Sequence, residues 1–395
     1  MTDAELPAGG FESETVDAHL ESTIRDTLER READAFVHVG AHDDASIRYC
    51  RSALEGGSTV DRAAPGPTFA IAFDGDEWLV DSSRDASTHP AEALATRLAE
   101  RIESGTALTP ARVPHDAALY LEQAGFDLAS TDVLERARAT KMPLERDRIA
   151  AAQAAASAGM RRAASLLANA AIDDGRLVAD GDPVTPDRLR TAVDEGIVSA
   201  GAFPAGNTVV NPDPEHWPST LDTNGETIDD GETTEEPLRP GEPIVLETAP
   251  RGPDGYHAGL VRTLVVDGDG GSERRAHVGA TQSFRSAAAM LTAGTESVTA
   301  VEADLEAEVR AFGFGEGDDI RTRAYGVGLE SCERPLEGGD QIEPGSVVRL
   351  ESAVHVGDGA WLRIADLLVK AEDGERATYL EAPSRSLEPS AVLED

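Results

Sequence analysis

The sequence predicts an α/β domain over residues 1–138 followed by an α+β domain over residues 139–395, and three observations carry that expectation. At 395 residues the chain exceeds the size at which a single hydrophobic core stops growing. Its first half alternates short apolar runs with stretches of helical spacing. Its second half opens on long helices and ends in extended apolar runs of strand character.

The elements follow in order. Leu20, Ile24 and Leu28 recur at helical spacing over 17–33, and the apolar run AFVHVG at 35–40 follows as a strand. TFAIA at 68–72 and WLV at 78–80 flank FDGDE, a hairpin turn. Helices are expected at 93–102 and 117–126, the second stopped by Gly125. Pro143, at a helix N1 position, opens a long alanine-rich helix, which places the domain boundary just before residue 139. A further helix is expected near 186–197, then a glycine- and proline-rich loop at 201–218 and a solvated acidic loop at 221–237. Beyond 243, PIVLETA and GLVRTLVV read as paired strands, 280–292 and 298–312 as helices, and SVVRLESAVHV and WLRIADLLVKA as the closing strands.

Composition bounds the function. Asp and Glu number 74 against 35 Lys and Arg, a net charge of −39, yet 40% of residues are hydrophobic, so the charge belongs on the surface of a folded protein. Such a field repels phosphates and anionic bilayers, and no basic patch offsets it; neither nucleic acid nor membrane is expected as a partner. Lys141 and Lys370 are the only lysines, and the acidic residues are spread along the chain. That pattern suits molar salt, where the Debye length falls from about 10 Å to about 3 Å and self-repulsion is screened. A halophilic, cytoplasmic protein is the expectation. Cys50 and Cys332 are the only cysteines and offer no disulfide framework. The first residues have neither the basic nor the apolar region of a leader, and no apolar run is long enough to span a bilayer.

Five segments carry a resemblance. KMPLERDRIAAAQAAASAGM at 141–160, RPGEPIVLETAPRGPDGYHAGLVRT at 239–263, AYGVGLESCERP at 324–335, EPGSVVRLESAVHV at 343–356 and WLRIADLLVKAEDG at 361–374 resemble, in that order, the M24 peptidases. These share the pita-bread fold of methionine aminopeptidase, Xaa-Pro aminopeptidase, prolidase and creatinase. The first half resembles the N-terminal domain of the Xaa-Pro aminopeptidase, prolidase and creatinase branch, through its size and the stretch DDASIRYC. The resemblance implies a pita-bread C-terminal domain, a homodimer, and two divalent cations held by Asp, Asp, His, Glu and Glu, which share a water and make it a nucleophile.

Matched residue by residue, most of that centre is replaced. Counting from the Gly255-Tyr256 and Arg262-Thr263 anchors puts the first aspartate position on Thr248 and the second on Gly259. A one-residue slip in the loop presents Glu247 instead, and strand alternation puts Glu247 and Thr248 on opposite faces, so only one reading can hold. The histidine position falls on Tyr325, a neutral phenol and a poor metal ligand. The glutamates fall on Glu351 and Ala365, leaving one ligand in five. The family's loop histidine falls at Asn211, with His216 five residues on, and its His-Glu pair reads Cys332-Glu333.

Other side chains compete for roles there. His257 shares a face with Gly259 and His355 with Glu351, so His257, Glu351 and His355 form a candidate mononuclear metal site or acid/base set; the alternative is that both histidines are partly exposed strand residues. Arg262 and Arg363 match arginines that the family places beside its metal carboxylates. They suit an anionic ligand, or pair with Glu351 or Glu333. Tyr325 reads as packing and Cys332 as a small buried hydrophobe.

Three functions are open on this reading. One is a non-catalytic protein, without cofactor, that binds a peptide, a small anionic ligand or a protein partner in the old cleft; the pita-bread domain of the large subunit of the FACT histone chaperone, which resembles these peptidases and lacks their metals, is a precedent. The second is a metal-independent hydrolase like creatinase, against which stands Asn211 at the catalytic-histidine position. The third is an Xaa-Pro peptidase with a divalent metal in a rebuilt site drawn from Glu247, His257, Glu351 and His355.

Overall fold

In a computed structural model of the chain, the residues described are 15–54, 66–83, 88–212, 236–315, 319–336, 338–357 and 359–394. His216 and the acidic loop up to residue 235 lie outside them. The chain divides into two compact units, Phe11–Leu144 and Glu145–Asp395. The sequence reading puts the boundary at 138/139; in the structure helix Val133–Ala139 packs on helices Val16–Arg31 and Ala45–Leu54 of the first unit.

The first unit is built on a five-stranded sheet in the order Trp78–Ser82, Thr68–Phe73, Ala35–Ala41, Gly105–Thr109, Phe126–Ser130. The first three strands are antiparallel and the last two run parallel to the central one. The hairpin lies where FDGDE predicts it, because Asp74 Oδ1 accepts the amides of Asp76 and Glu77 while Gly75 takes a φ of 95°. The helix expected over 117–126 stops at Gln123, and Phe126 opens a strand instead.

The second unit carries an antiparallel sheet in the order Ile320–Gly326, Val347–Gly357, Ala360–Val369, Leu260–Leu264, Ile244–Thr248, Thr208–Val210. Strand alternation gives this sheet two distinct faces. Even-numbered residues of the central strands face helices: Ile244, Leu246, Leu260 and Leu264 join one core with helices Pro143–Ala168 and Pro186–Ser199. Leu350, Val354, Leu362 and Leu368 join a second core with helices Ser272–Ala293 and Val298–Arg310. The first helix pair crosses at glycine, since a Cβ on Gly159 would lie 2.8 Å from the Val193 carbonyl and one on Gly196 2.7 Å from the Gly159 Cα. Odd-numbered residues point to the other face, where Val245, Val261 and Ala365 form an apolar group. Among the described residues no helix is long and apolar enough to cross a membrane.

Candidate functional site

The odd face holds the residues that matter. Register sets Glu247 opposite Val261, Val261 opposite Ala365, and Ala365 opposite Glu351, one row across four strands. Glu247 and Glu351 therefore share a face. Thr248 points the other way, where its hydroxyl meets Thr208 Oγ1 at 3.1 Å. The slip reading is the one the structure adopts, and the direct count that placed Thr248 in the site, with one carboxylate left, is corrected to two carboxylates.

Both carboxylates are bound by arginine. Arg349 Nη2 donates to Glu247 Oε1 at 2.6 Å and to Glu351 Oε2 at 2.8 Å. Arg363 Nε donates to Glu351 Oε1 at 3.0 Å, its Nη2 donates to the same oxygen, and its Nη1 lies 2.9 Å from Glu247 Oε2. The Glu247 side chain is 10% exposed and the other three are 4% exposed or less. Burial alone would push the Glu247 carboxyl up, but the guanidiniums of Arg363 and Arg349 outweigh it and hold it at about 2. Two positive and two negative side chains thus close a neutral cluster.

The replaced positions surround it. Gly259 and Ala365 are buried and offer no donor. A Cβ on Gly259 would meet Arg349 Cδ at 3.0 Å, so the arginine stem uses the space that a longer side chain at 259 would take. Tyr325 lies opposite Arg349, whose guanidinium carbon is 5.7 Å from its ring centroid. Burial pushes the Tyr325 phenol well above its ordinary 10, so it stays protonated at neutral pH. The loop after it doubles back: Gly326 donates to the Pro335 carbonyl at 2.7 Å and accepts from the Glu333 amide at 2.9 Å. A Cβ at Gly326 would sit 2.3 Å from the Arg334 carbonyl, which accounts for the glycine in AYGVG.

The rebuilt set of His257, Glu351 and His355 does not assemble. His355 is four residues beyond Glu351, about 13 Å of strand, and its Nδ1 lies 3.5 Å from Asp319 Oδ1 with its ring against Trp361. His257 is half-buried outside the strands, and its amide donates to the Gly328 carbonyl. Arg262 is on the helix face, bound to Asp366, so the pair of arginines expected to make the site positive is not formed; Arg363 is there, already matched by Glu247 and Glu351. Asn211 is occupied with backbone, accepting the Val245 amide at 2.7 Å and donating its own to the Val245 carbonyl at 2.8 Å. Cys332 is half-buried, and the buried Glu333 carboxylate accepts the Glu330 amide at 3.3 Å.

Arg349 is the residue that sequence reasoning does not single out. Its signal is an arginine two residues before Glu351 in the same strand, which by alternation must share the face of Glu351.

A dinuclear centre does not fit these residues. Of five positions, two carry no donor atom, one carries a phenol that stays neutral, and both carboxylates already bind guanidinium. Among the described residues no group of three or more His, Cys, Asp or Glu is placed to hold a metal ion.

Comparison with known proteins gives the lineage. The model of metallopeptidase family M24 matches residues 147–372. Among similar solved structures, the prolidase from Pyrococcus horikoshii OT3 has 14% identity and a TM-score of 0.66 over 93% of this chain and 99% of its own. The Xaa-Pro dipeptidase from Bacillus anthracis has 12% identity and a TM-score of 0.71 over 94% and 99%. The N-terminal domain of the FACT complex subunit SPT16 from chickpea (Cicer arietinum) has 14% identity and a TM-score of 0.65 over 94% and 97%. At these identities the likeness establishes the fold, the pita-bread architecture with its preceding N-terminal domain. No curated protein matches in sequence.

Proposed function

The chain belongs to metallopeptidase family M24, and we propose that it is a member without metal-dependent peptidase activity, which uses its pita-bread unit to bind a peptide or protein partner. One observation carries this: Glu247 and Glu351, the two carboxylates facing the site, are both paired with the guanidiniums of Arg349 and Arg363. A cation there would have to displace two buried guanidiniums from charge-assisted hydrogen bonds, and would find no further donor at Gly259 or Ala365. The fold leaves the question to the site, since its solved examples include both dipeptidases and a subunit of the FACT complex. The cluster's neutrality favours a peptide or protein surface over a small anion, because the charge that would draw the anion is already matched. The reading extends to a homodimer in a salt-rich cytoplasm.

The test is metal content and turnover together. Protein purified in molar KCl, equilibrated with Mn²⁺, Co²⁺, Zn²⁺ or Fe²⁺ in turn and freed of unbound ion, is expected to retain no near-stoichiometric metal and to leave Xaa-Pro dipeptides intact. Retained metal with chelator-sensitive hydrolysis would overturn the reading in favour of a rebuilt peptidase. Hydrolysis indifferent to chelator would overturn it in favour of a creatinase-like enzyme.

A further inference from the structure

One helix of the second unit carries charge of the opposite sign to the chain as a whole. Helix Ser272–Ala293, SERRAHVGATQSFRSAAAMLTA, holds three arginines and a single acid, Glu273, in a chain of net charge −39. Ala276, Ala280, Phe284, Ala287 and Leu291 face the second core, so Arg274, Val278, Arg285 and Ala289 share the opposite face, and all four are exposed. Glu273 lies off that face and is half-buried. On the flank, Asp304 of helix Val298–Arg310 is engaged by the Ser286 hydroxyl at 3.1 Å. The arginines of this face lack a carboxylate. Arg97, Arg136, Arg190 and Arg310, on four other helices, each pair with one. Among the described residues, the side chains of Arg274 and Arg285 have neither an ion pair nor a hydrogen bond. Arg275, at the margin, sets its guanidinium carbon 4.9 Å from the Phe314 ring centroid.

We propose that the outer face of helix Ser272–Ala293 docks an acidic helix of a protein partner, with Arg274 and Arg285 taking its carboxylates. The inference gives the partner of the reading above a surface, and it rests on that reading. Geometry defines the fit. At a rise of about 1.5 Å per residue, Arg274 and Arg285 stand about 16 Å, or three turns, apart along the axis, so the partner presents carboxylates at about that spacing. Between them stand Val278, 46% exposed, and Thr281, short side chains over which a second helix can pack at about 8–10 Å between axes. Guanidiniums take carboxylates bidentately, and their stems add apolar contact beside Val278. Nucleic acid fits less well, because a duplex would carry its phosphates past this one helix into the field of the acidic surface, whereas a helix meets the arginine face alone.

The experiment uses the full chain in molar KCl. The probe is a labelled amphipathic helical peptide of about 20 residues, with a leucine and alanine stripe flanked by glutamates three turns apart, beside a sister peptide with glutamine at those positions. Binding is read by fluorescence anisotropy. Wild type is expected to bind the glutamate peptide about tenfold more tightly than the glutamine peptide, and Arg274→Glu/Arg285→Glu is expected to erase that preference. Both arginines are exposed and unpaired, so the variant should melt with the wild type; if it fails to fold, Arg274→Gln/Arg285→Gln removes the charge without reversing it and is read in the same way. Equal affinity for the two peptides, a preference that survives the substitutions, or no binding of either peptide overturns the proposal. So does a DNA duplex bound as tightly as the glutamate peptide, since any polyanion would then serve. Sedimentation supplies the last check: a wild-type dimer that the substitutions convert to monomer assigns the face to a second copy of this chain and overturns the acidic partner. These outcomes leave metal content and turnover untouched, so the metal-free reading stands or falls by its own test.

Discussion

On one face of the second unit's sheet, Arg349 and Arg363 bind Glu247 and Glu351; on the other, Arg262 binds Asp366, and Arg385 closes on the same carboxylate. All four acceptors and donors of the first group named here are side chains. Arg262, by contrast, also donates to the carbonyls of Val261, Ala365, Pro383 and Ser384, backbone groups that need a partner once buried. Through them it fastens the C-terminal segment, whose Ala382 and Val392 join one core and Leu387 the other. The same chemistry therefore serves the fold on the helix face. On the opposite face it ties side chain to side chain, Arg349 and Arg363 to Glu247 and Glu351.

The largest effect should come from the helix face. Arg262→Met is expected to cost about 5 kcal/mol, since it removes the guanidinium from Asp366 Oδ1, leaving that carboxylate to Arg385 alone, and from several carbonyls. It should also expose the segment after Leu380 to protease. Denaturant unfolding in molar KCl and limited proteolysis check both, and a loss below about 1 kcal/mol would mean that the segment is held elsewhere.

Next comes the site face. Arg363→Met should cost about 3–4 kcal/mol by leaving two carboxylates to one guanidinium. Here compensation is possible: adding Glu351→Leu removes the surplus charge and should restore a large part of the loss. The corresponding addition of Asp366→Leu to Arg262→Met should restore little, because the carbonyls still lack the guanidinium and Arg385 loses its carboxylate. Equal rescue on the two faces would break the distinction between them.

Acid sharpens it further. Glu247 is held at about 2 in the folded chain against an ordinary 4.5, a depressed carboxylate whose contribution is present above pH 4.5 and lost as pH falls toward 2. The difference corresponds to about 3 kcal/mol. The stability deficit of Glu247→Gln relative to wild type should therefore be full at pH 7, begin to shrink below pH 4.5 and be mostly gone near pH 2–3. A deficit independent of pH would show that Glu247 is not ionised in the cluster.

Much of this was legible beforehand, and the gaps have physical causes. The resemblance put Glu351 and Ala365 at two positions of one site, and the register sets them opposite each other in adjacent strands. The choice between Thr248 and Glu247 could not be read from counting, since it depends on how the PRGPDGYH loop absorbs one residue. Arg349 escaped notice because its burial is settled by Glu247, 102 residues away, and a lone strand pattern cannot show a partner at that distance. Strands Gly105–Thr109 and Phe126–Ser130 of the first unit are five residues each, too short for periodicity to declare them.

The smallest expected effect lies on the surface, where most of the −39 charge must reside. Arg162 pairs with Glu195 between helices Pro143–Ala168 and Pro186–Ser199, with both side chains 55% exposed. Held in water, such a pair contributes less than about 1 kcal/mol and is screened within about 3 Å at molar salt. Arg162→Ala should therefore be detectable in dilute KCl and vanish in molar KCl, while the deficits of Arg262→Met and Arg363→Met persist at both. Over the same range the wild-type melting temperature should rise, because salt relieves repulsion among the unpaired acidic groups without reaching the buried clusters. Were the Arg363→Met deficit to fade with salt as the Arg162→Ala deficit does, water and ions would be entering the cluster, and Glu247 and Glu351 would then be open to a cation from solution.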